Sequence, residues 1–333
     1  MTKNMLSILK VITLSLLVTL VSGCGSSWFA GGTKPVSIIY DTDIGTDVDD
    51  AGALAILHVL ADKGEAKILA AISANQNKWS APAIDVINTY YGRPDLPIGS
   101  SRTGPDPEHW YHDSVPNYPH NLKSGDDAPD SVAVYRRILA SQPDNSVTIV
   151  VVGWLTNMAD LLQSPPDSYS PLNGKQLVAA KVKELVSMGG VWPNTNNQGD
   201  YNFKMDRDAA NKVLKDWPTE IMFTSLGLDV MTGGRLAVEG PKNNPVPAFY
   251  RNFFKGNNVT ERSSWDLVAV LYAVRGLGDY FDAVSDGHCV VAEDGTNKWV
   301  PGQHKNHSYL LYKMPPAQLA ETIENLLLTP PIR

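Results

Sequence analysis

The sequence predicts an α/β fold, a mostly parallel open sheet flanked by helices, and three observations carry that prediction. Short apolar runs rich in β-branched residues alternate along the chain with segments whose apolar residues recur at helical spacing. The runs are continuous rather than alternating, as in strands buried on both faces. Stretches rich in Asp, Asn and Gly fall directly after them, where an open parallel sheet places its ligands.

Residues 36–40 form the first predicted strand and 50–60 the first helix. A second strand over 67–72 leads to a helix over 81–91. Residues 147–152 read as another buried strand and 156–162 as the helix after it. Strands over 182–188 and 220–225 complete the series, and 264–274 and 316–327 are late helices. The stretch 99–129, rich in Pro, His, Trp, Tyr and Asp without periodicity, reads as one long loop, and long ordered loops are disproportionately functional. Residues 190–199 and 232–244 read as shorter loops of the same kind.

The chain has 333 residues, 43% of them hydrophobic, enough for a substantial core. Its net charge of -7 and the absence of a basic stripe argue against a nucleic-acid polymer as partner and favour a small, near-neutral molecule. The first segment stands apart. Lys3 and Lys10 flank a short n-region, and 11–21 is apolar but shorter than the roughly 20 residues of a membrane span. Val21-Ser22-Gly23-Cys24 then resembles a bacterial lipobox, which implies cleavage before Cys24 and its acylation. The plainer alternative is an ordinary signal peptide with an incidental cysteine. On the lipobox reading, 1–23 is a lipoprotein signal peptide, 24–34 a flexible tether rich in Gly and Ser, and 35–333 the folded domain. The protein is then exported and held on a membrane of the cell envelope; Gly25, where inner-membrane retention is associated with Asp, points to the outer membrane where one exists. Cys289 alone remains in the folded part, so there is no disulfide framework, and its apolar neighbours mark it as a packed residue.

The informative segment follows the first strand. Asp41, Asp43, Asp47, Asp49 and Asp50 place five carboxylates within ten residues at a strand-to-helix turn. Packed that closely they repel one another unless a cation neutralises them or water solvates them. Oxygen-only donors select Ca²⁺ or Mg²⁺. An EF-hand loop fails, because counting from Asp41 its sixth residue is Thr46 and its twelfth Gly52. A phosphatase of the haloacid dehalogenase type fails too, since Gly45 stands where that motif wants Thr or Val.

Asp41-Thr42-Asp43-Ile44-Gly45, a spacer, then Asp49-Asp50-Ala51 resembles the N-terminal signature of the inosine-uridine-preferring nucleoside hydrolase family. The likeness continues in order through Ser73-Ala74-Asn75-Gln76, Gly153-Trp154-Leu155-Thr156-Asn157, Met188-Gly189-Gly190, Asp200-Tyr201-Asn202 and Trp265-Asp266. It implies a nucleoside hydrolase-like fold that cleaves the N-glycosidic bond of ribonucleosides to free base and ribose, as in purine salvage. It also implies that Asp43, Asp50, Asp266 and the carbonyl of Thr156 hold Ca²⁺, and that Asp43 is the general base for a calcium-bound water. Asp49 and Asn75 would meet the 2′-hydroxyl side of ribose, Asn202 and Met188 the 3′ side, and Asn194 and Asp200 the 5′-hydroxyl. Family members commonly form dimers or tetramers, so a homo-oligomer is implied as well. Singly, each residue has a plainer reading: Asn75 as a loop cap, Met188 as core filler, Asp266 as a charge at a helix N-terminus.

Two positions depart from the family pattern. Trp265 stands where broad-specificity members carry a histidine acid, and purine-preferring members place a stacking tryptophan there. Stacking raises the basicity of the purine, which implies purine nucleosides; the plainer reading is a packed tryptophan at a helix start. Trp110 or Tyr111 of the long loop would give a second aromatic wall, with Trp79 a lesser candidate, and His109 or His112 would restore an acid. Asp200, where Glu is usual, is one methylene shorter. The rival function is a surface lipoprotein that binds a nucleoside or other riboside without cleaving it, and release of free ribose separates the two.

Overall fold

A computed structural model describes residues 34–192, 199–302 and 306–332; the expectations for Cys24 and Asn194 lie outside the described residues. The chain begins as predicted, with β1 (Val36–Thr42), α1 (Asp49–Asp62), β2 (Ala66–Ser73) and α2 (Ser80–Tyr90). Then come β3 (Ile98–Ser100), α3 (Ser131–Ala140), β4 (Val147–Val151), α4 (Thr156–Gln163), α5 (Gly174–Lys181) and β5 (Val182–Ser187). The middle holds α6 (Tyr201–Met205), α7 (Arg207–Asp216), β6 (Glu220–Phe223), β7 (Met231–Thr232), α8 (Gly234–Glu239) and α9 (Pro245–Asn257). The end holds β8 (Arg262–Ser263), α10 (Trp265–Arg275), β9 (Phe281–Val284), β10 (Gly287–Val291), β11 (Asn297–Pro301), β12 (His307–Tyr312) and α11 (Pro316–Leu327).

One eight-stranded sheet runs in the order β3-β2-β1-β4-β5-β6-β12-β9. Every neighbouring pair is parallel except β12 with the edge strand β9. The mostly parallel open sheet is therefore observed. A core lies on each face, and β1 feeds both: Ile38 and Tyr40 join one, Ile39 the other. Complete burial of side chains this size stabilises by about 1.5–3 kcal/mol each. Helices α1, α2, α9, α10 and α11 cover the first face, while α3, α4, α5 and α7 cover the second. Two short antiparallel pairs, β10–β11 and β7–β8, stand outside the sheet.

The loop expectations need correction at two places. Residue 99 lies inside β3, which pairs with β2 through Ile98, Gly99 and Ser100, so the long loop starts later. The stretch 232–244 holds the helix α8, whose six residues are too few for a period to show. Among the described helices, none is long and apolar enough to cross a membrane.

Candidate functional site

The strand order turns back between β1 and β4, which leave the sheet side by side at their carboxyl ends. A crevice opens at such a switch point, because the chain departs to opposite faces on either side of it. Here the crevice is a cavity of about 970 Å³ whose wall includes Asp43, Asp47, Asp49, Asp50 and Asp266.

Two helix N-termini meet there. Helix α1 is apolar along nearly its whole length and packs against α10, which is equally buried. Their first turns carry Asp49 and Asp50 on one and Asp266 on the other. The backbone N–H of Asp266 donates to Asp49 Oδ2 at 3.2 Å, joining positions 217 residues apart. Carboxylates suit this place, since unpaired N–H groups and the helix dipole both favour negative charge at an N-terminus.

Asp49, Asp50 and Asp266 each bring a carboxylate oxygen within 4.8 Å of the other two, and all three are buried. Burial pushes each of their carboxyls well up. For Asp50 the next causes are Asp43 and Asp49, and for Asp266 they are Asp49 and Asp50. Asp43 stands against Asp50 and accepts from Thr46 Oγ1 at 2.8 Å; burial raises its pKa to about 6. Thr42 Oγ1 donates to Asp50. The structure thus gathers Asp49 with Asp50 and Asp266 and sets Asp43 beside them. A hard dication fits this set. Three buried carboxylates facing one another are each destabilised as anions, and a cation with oxygen-only ligands removes that cost.

Close packing fixes the acidic loop. A Cβ on Gly153, which follows β4, would lie 2.7 Å from the Asp43 backbone N and 2.8 Å from its Cβ. Gly45 adopts φ 116°, and a Cβ there would overlap the His109 ring. Asn75 is buried, donates to the carbonyls of Asp43 and Ile44 at 3.1 and 3.3 Å, and accepts from Asn77 N. It braces the loop and does not line the cavity.

The remaining candidates divide. Met188, Asp200, Asn202 and Trp265 line the cavity. Asn202 Nδ2 donates to Val152 O at 2.8 Å and to the carbonyl and Sδ of Met188, which leaves Oδ1 as its acceptor. Asp200 caps α6, with its Oδ1 accepting from Phe203 N at 3.0 Å and its carboxyl also meeting the N–H groups of Asn202 and Gly190; burial raises its pKa to about 7. Thr156 opens α4, donates through Oγ1 to Asp206, and is not on the cavity wall. Trp110 is 40% exposed and stands edge-on to Phe253, away from the cavity. Tyr111 is buried against Phe249, and its hydroxyl donates to Asp47 O at 3.3 Å. Trp79 packs against the core near His112, whose Nε2 meets Asp113 at 3.1 Å. His109 is buried under Gly45, and burial lowers its pKa to about 3, so it is neutral. Neither histidine lines the cavity.

Sequence reasoning left two of the acidic loop's residues unassigned. Asp41 is wholly buried and accepts from Tyr135 Oη at 2.7 Å and Asn157 Nδ2 at 2.9 Å; burial raises its pKa to about 7. Asp47 pairs with Arg262, a cavity residue that belongs to no sequence motif. Trp192, Tyr201, Tyr312 and the segment 225–229 also line the cavity and were missed. The last follows the carboxyl end of β6, so the strand-end rule that found Asp43 applies to it equally.

A family model described as inosine-uridine preferring nucleoside hydrolase matches residues 38–309. No curated sequence relative matches the chain. Among solved structures, an inosine-guanosine nucleoside hydrolase is 17% identical with a TM-score of 0.67, covering 88% of this chain and 98% of that one. A plant nucleoside hydrolase is 18% identical with a TM-score of 0.65, covering 89% and 100%. The type III effector protein XopQ, solved with adenosine diphosphate ribose, is 16% identical with a TM-score of 0.63, covering 90% and 94%. Likenesses at these identities speak for the fold.

Proposed function

The chain belongs to the inosine-uridine preferring nucleoside hydrolase family, and from that premise we propose that it hydrolyses the N-glycosidic bond of purine ribonucleosides to free base and ribose. The observation that carries this reading is the meeting of Asp43 with Asp49, Asp50 and Asp266 in a cavity that also holds Trp265.

Asp50, Asp266 and Asp49 would hold a hard divalent cation by their oxygen-only donors, calcium by the family resemblance, with Asp43 beside them. When bound, that ion supplies Lewis acidity that lowers the pKa of water. Asp43, which stands against Asp50, takes the proton of the attacking water. Asn202 Oδ1, which accepts from no group among the described residues, accepts from a ribose hydroxyl. The carboxylates around the sugar stabilise its oxocarbenium character as the bond to the base breaks. Trp265 offers the base an aromatic face.

Purified protein incubated with inosine, adenosine, guanosine, uridine and cytidine, with calcium and with chelator, tests this by release of reducing sugar. Calcium-dependent release from the purines alone is expected. Release from uridine as well keeps the hydrolase and removes the stacking argument. Binding without release from any of them replaces the enzyme by the binding lipoprotein. The same reading carries anchorage through a lipid on Cys24, and Cys24→Ser should abolish incorporation of labelled palmitate.

A further inference from the structure

Arg262 is the only lysine or arginine among the described residues that line the cavity, against seven aspartates there. Its guanidinium is fixed from three sides. Nε donates to both Asp47 oxygens at 3.0 Å, and Nη2 donates to Oδ2. The group lies 5.0 Å over the Trp265 ring and 5.5 Å over that of Phe253. Nη1 has no hydrogen-bond partner among the described residues.

We propose that Arg262 recognises the nucleobase and stabilises it as it departs, through Nη1 donors held beside Trp265; this rests on the hydrolase reading. In the step, the bond from the anomeric carbon to the base nitrogen breaks and its electron pair goes to the base. Water oxygen bonds to the anomeric carbon and loses its proton to Asp43, and solvent protonates the base. Negative charge therefore grows on the base in the transition state, and a fixed cation there acts without reorganising.

Arg262 is not the acid. Burial alone would lower its pKa, but hydrogen bonds and charge from Asp47, with Asp49 and Asp266, more than reverse this, so it keeps its proton. The cation–π contact also bears on Trp265. An indole whose π electrons already face a guanidinium gives less to a ring stacked on it, so stacking alone activates the base less and the cation matters more.

The test compares inosine, whose base is a poor leaving group, with 4-nitrophenyl β-D-riboside, whose phenolate departs unaided. Arg262→Gln should lower kcat on inosine on the order of 100-fold, the usual loss for one removed donor, and on the nitrophenyl riboside by no more than about threefold. Equal losses on both substrates would overturn the proposal and make the guanidinium a partner of the acidic loop only; so would unchanged turnover of inosine. Should Arg262→Gln not fold, Arg262→Lys carries the same comparison, with a smaller split in the same direction expected and equal losses overturning it. Wild-type protein that cleaves neither compound removes the hydrolase reading itself, and this inference with it.

Discussion

Each carboxylate of the site has its own neighbours, and those neighbours divide the labour. Asp43 lies outside the group formed by Asp49, Asp50 and Asp266, and burial holds its carboxyl above the ordinary range. Asp43→Asn keeps the shape and removes the base. It should lower kcat on inosine by about 10²–10⁴-fold while the protein still binds calcium, measured by steady-state kinetics and calorimetry. Five close aspartates were legible in the sequence because such crowding demands a cation or water. Arg262 was not legible. It stands between Glu261 and Ser263 with no motif about it, and only folding sets it on Asp47 and Trp265. Asn75 shows the converse: the order of motifs singled it out, while its side chain is spent on the backbone of the acidic loop.

At the scale of elements, the site exists because α1 and α10 pack side by side and start level with each other. Both read as helices in the sequence, and both carry apolar residues on all sides. What escaped was the half-exposed class. Helix α7 buries only Ala209, Ala210, Val213 and Leu214 among charged residues, and β12 buries only His307 and Leu310 among half-buried side chains. Such segments lack the continuous apolar run that marks the central strands, so the cavity wall at Tyr312 stayed hidden. The β4-to-α4 turn offers a test at this scale. Gly153→Ala places a methyl 2.7–2.8 Å from Asp43 atoms, and one of the two must move. Overpacking of this kind costs about 1–3 kcal/mol, so a lowered Tm is expected together with a kcat loss on inosine well beyond that of a control Gly256→Ala, whose new Cβ would meet only Trp110 ring atoms at 3.6 Å.

At the scale of the whole molecule, buried carboxyls tie stability to pH and to the cation. Asp41 and Asp200 titrate near 7 and Asp43 near 6, all raised by burial. A folded pKa above the unfolded value means the native state holds the extra protons. The stability this contributes is full below the ordinary carboxyl range and lost as pH rises through about 6–7. Protein in chelator should therefore lose Tm between pH 5 and pH 8. On the proposal that calcium binds the ionised carboxylates, it should raise Tm more at pH 8 than at pH 5; an increment that shrinks with pH would show that the cluster does not hold the ion.

The 217-residue span between Asp49 and Asp266 has a temporal meaning. No chain that stops short of Asp266 contains the cluster: a polypeptide still being synthesised, or still threading through a membrane, has nowhere to seat a cation until about four-fifths of it has arrived. Which metal is taken up is then settled by the compartment in which the chain is completed and folds, rather than by the one in which its first aspartates were made. On the proposal that residues 1–23 export the chain, that compartment would be the extracytoplasmic one.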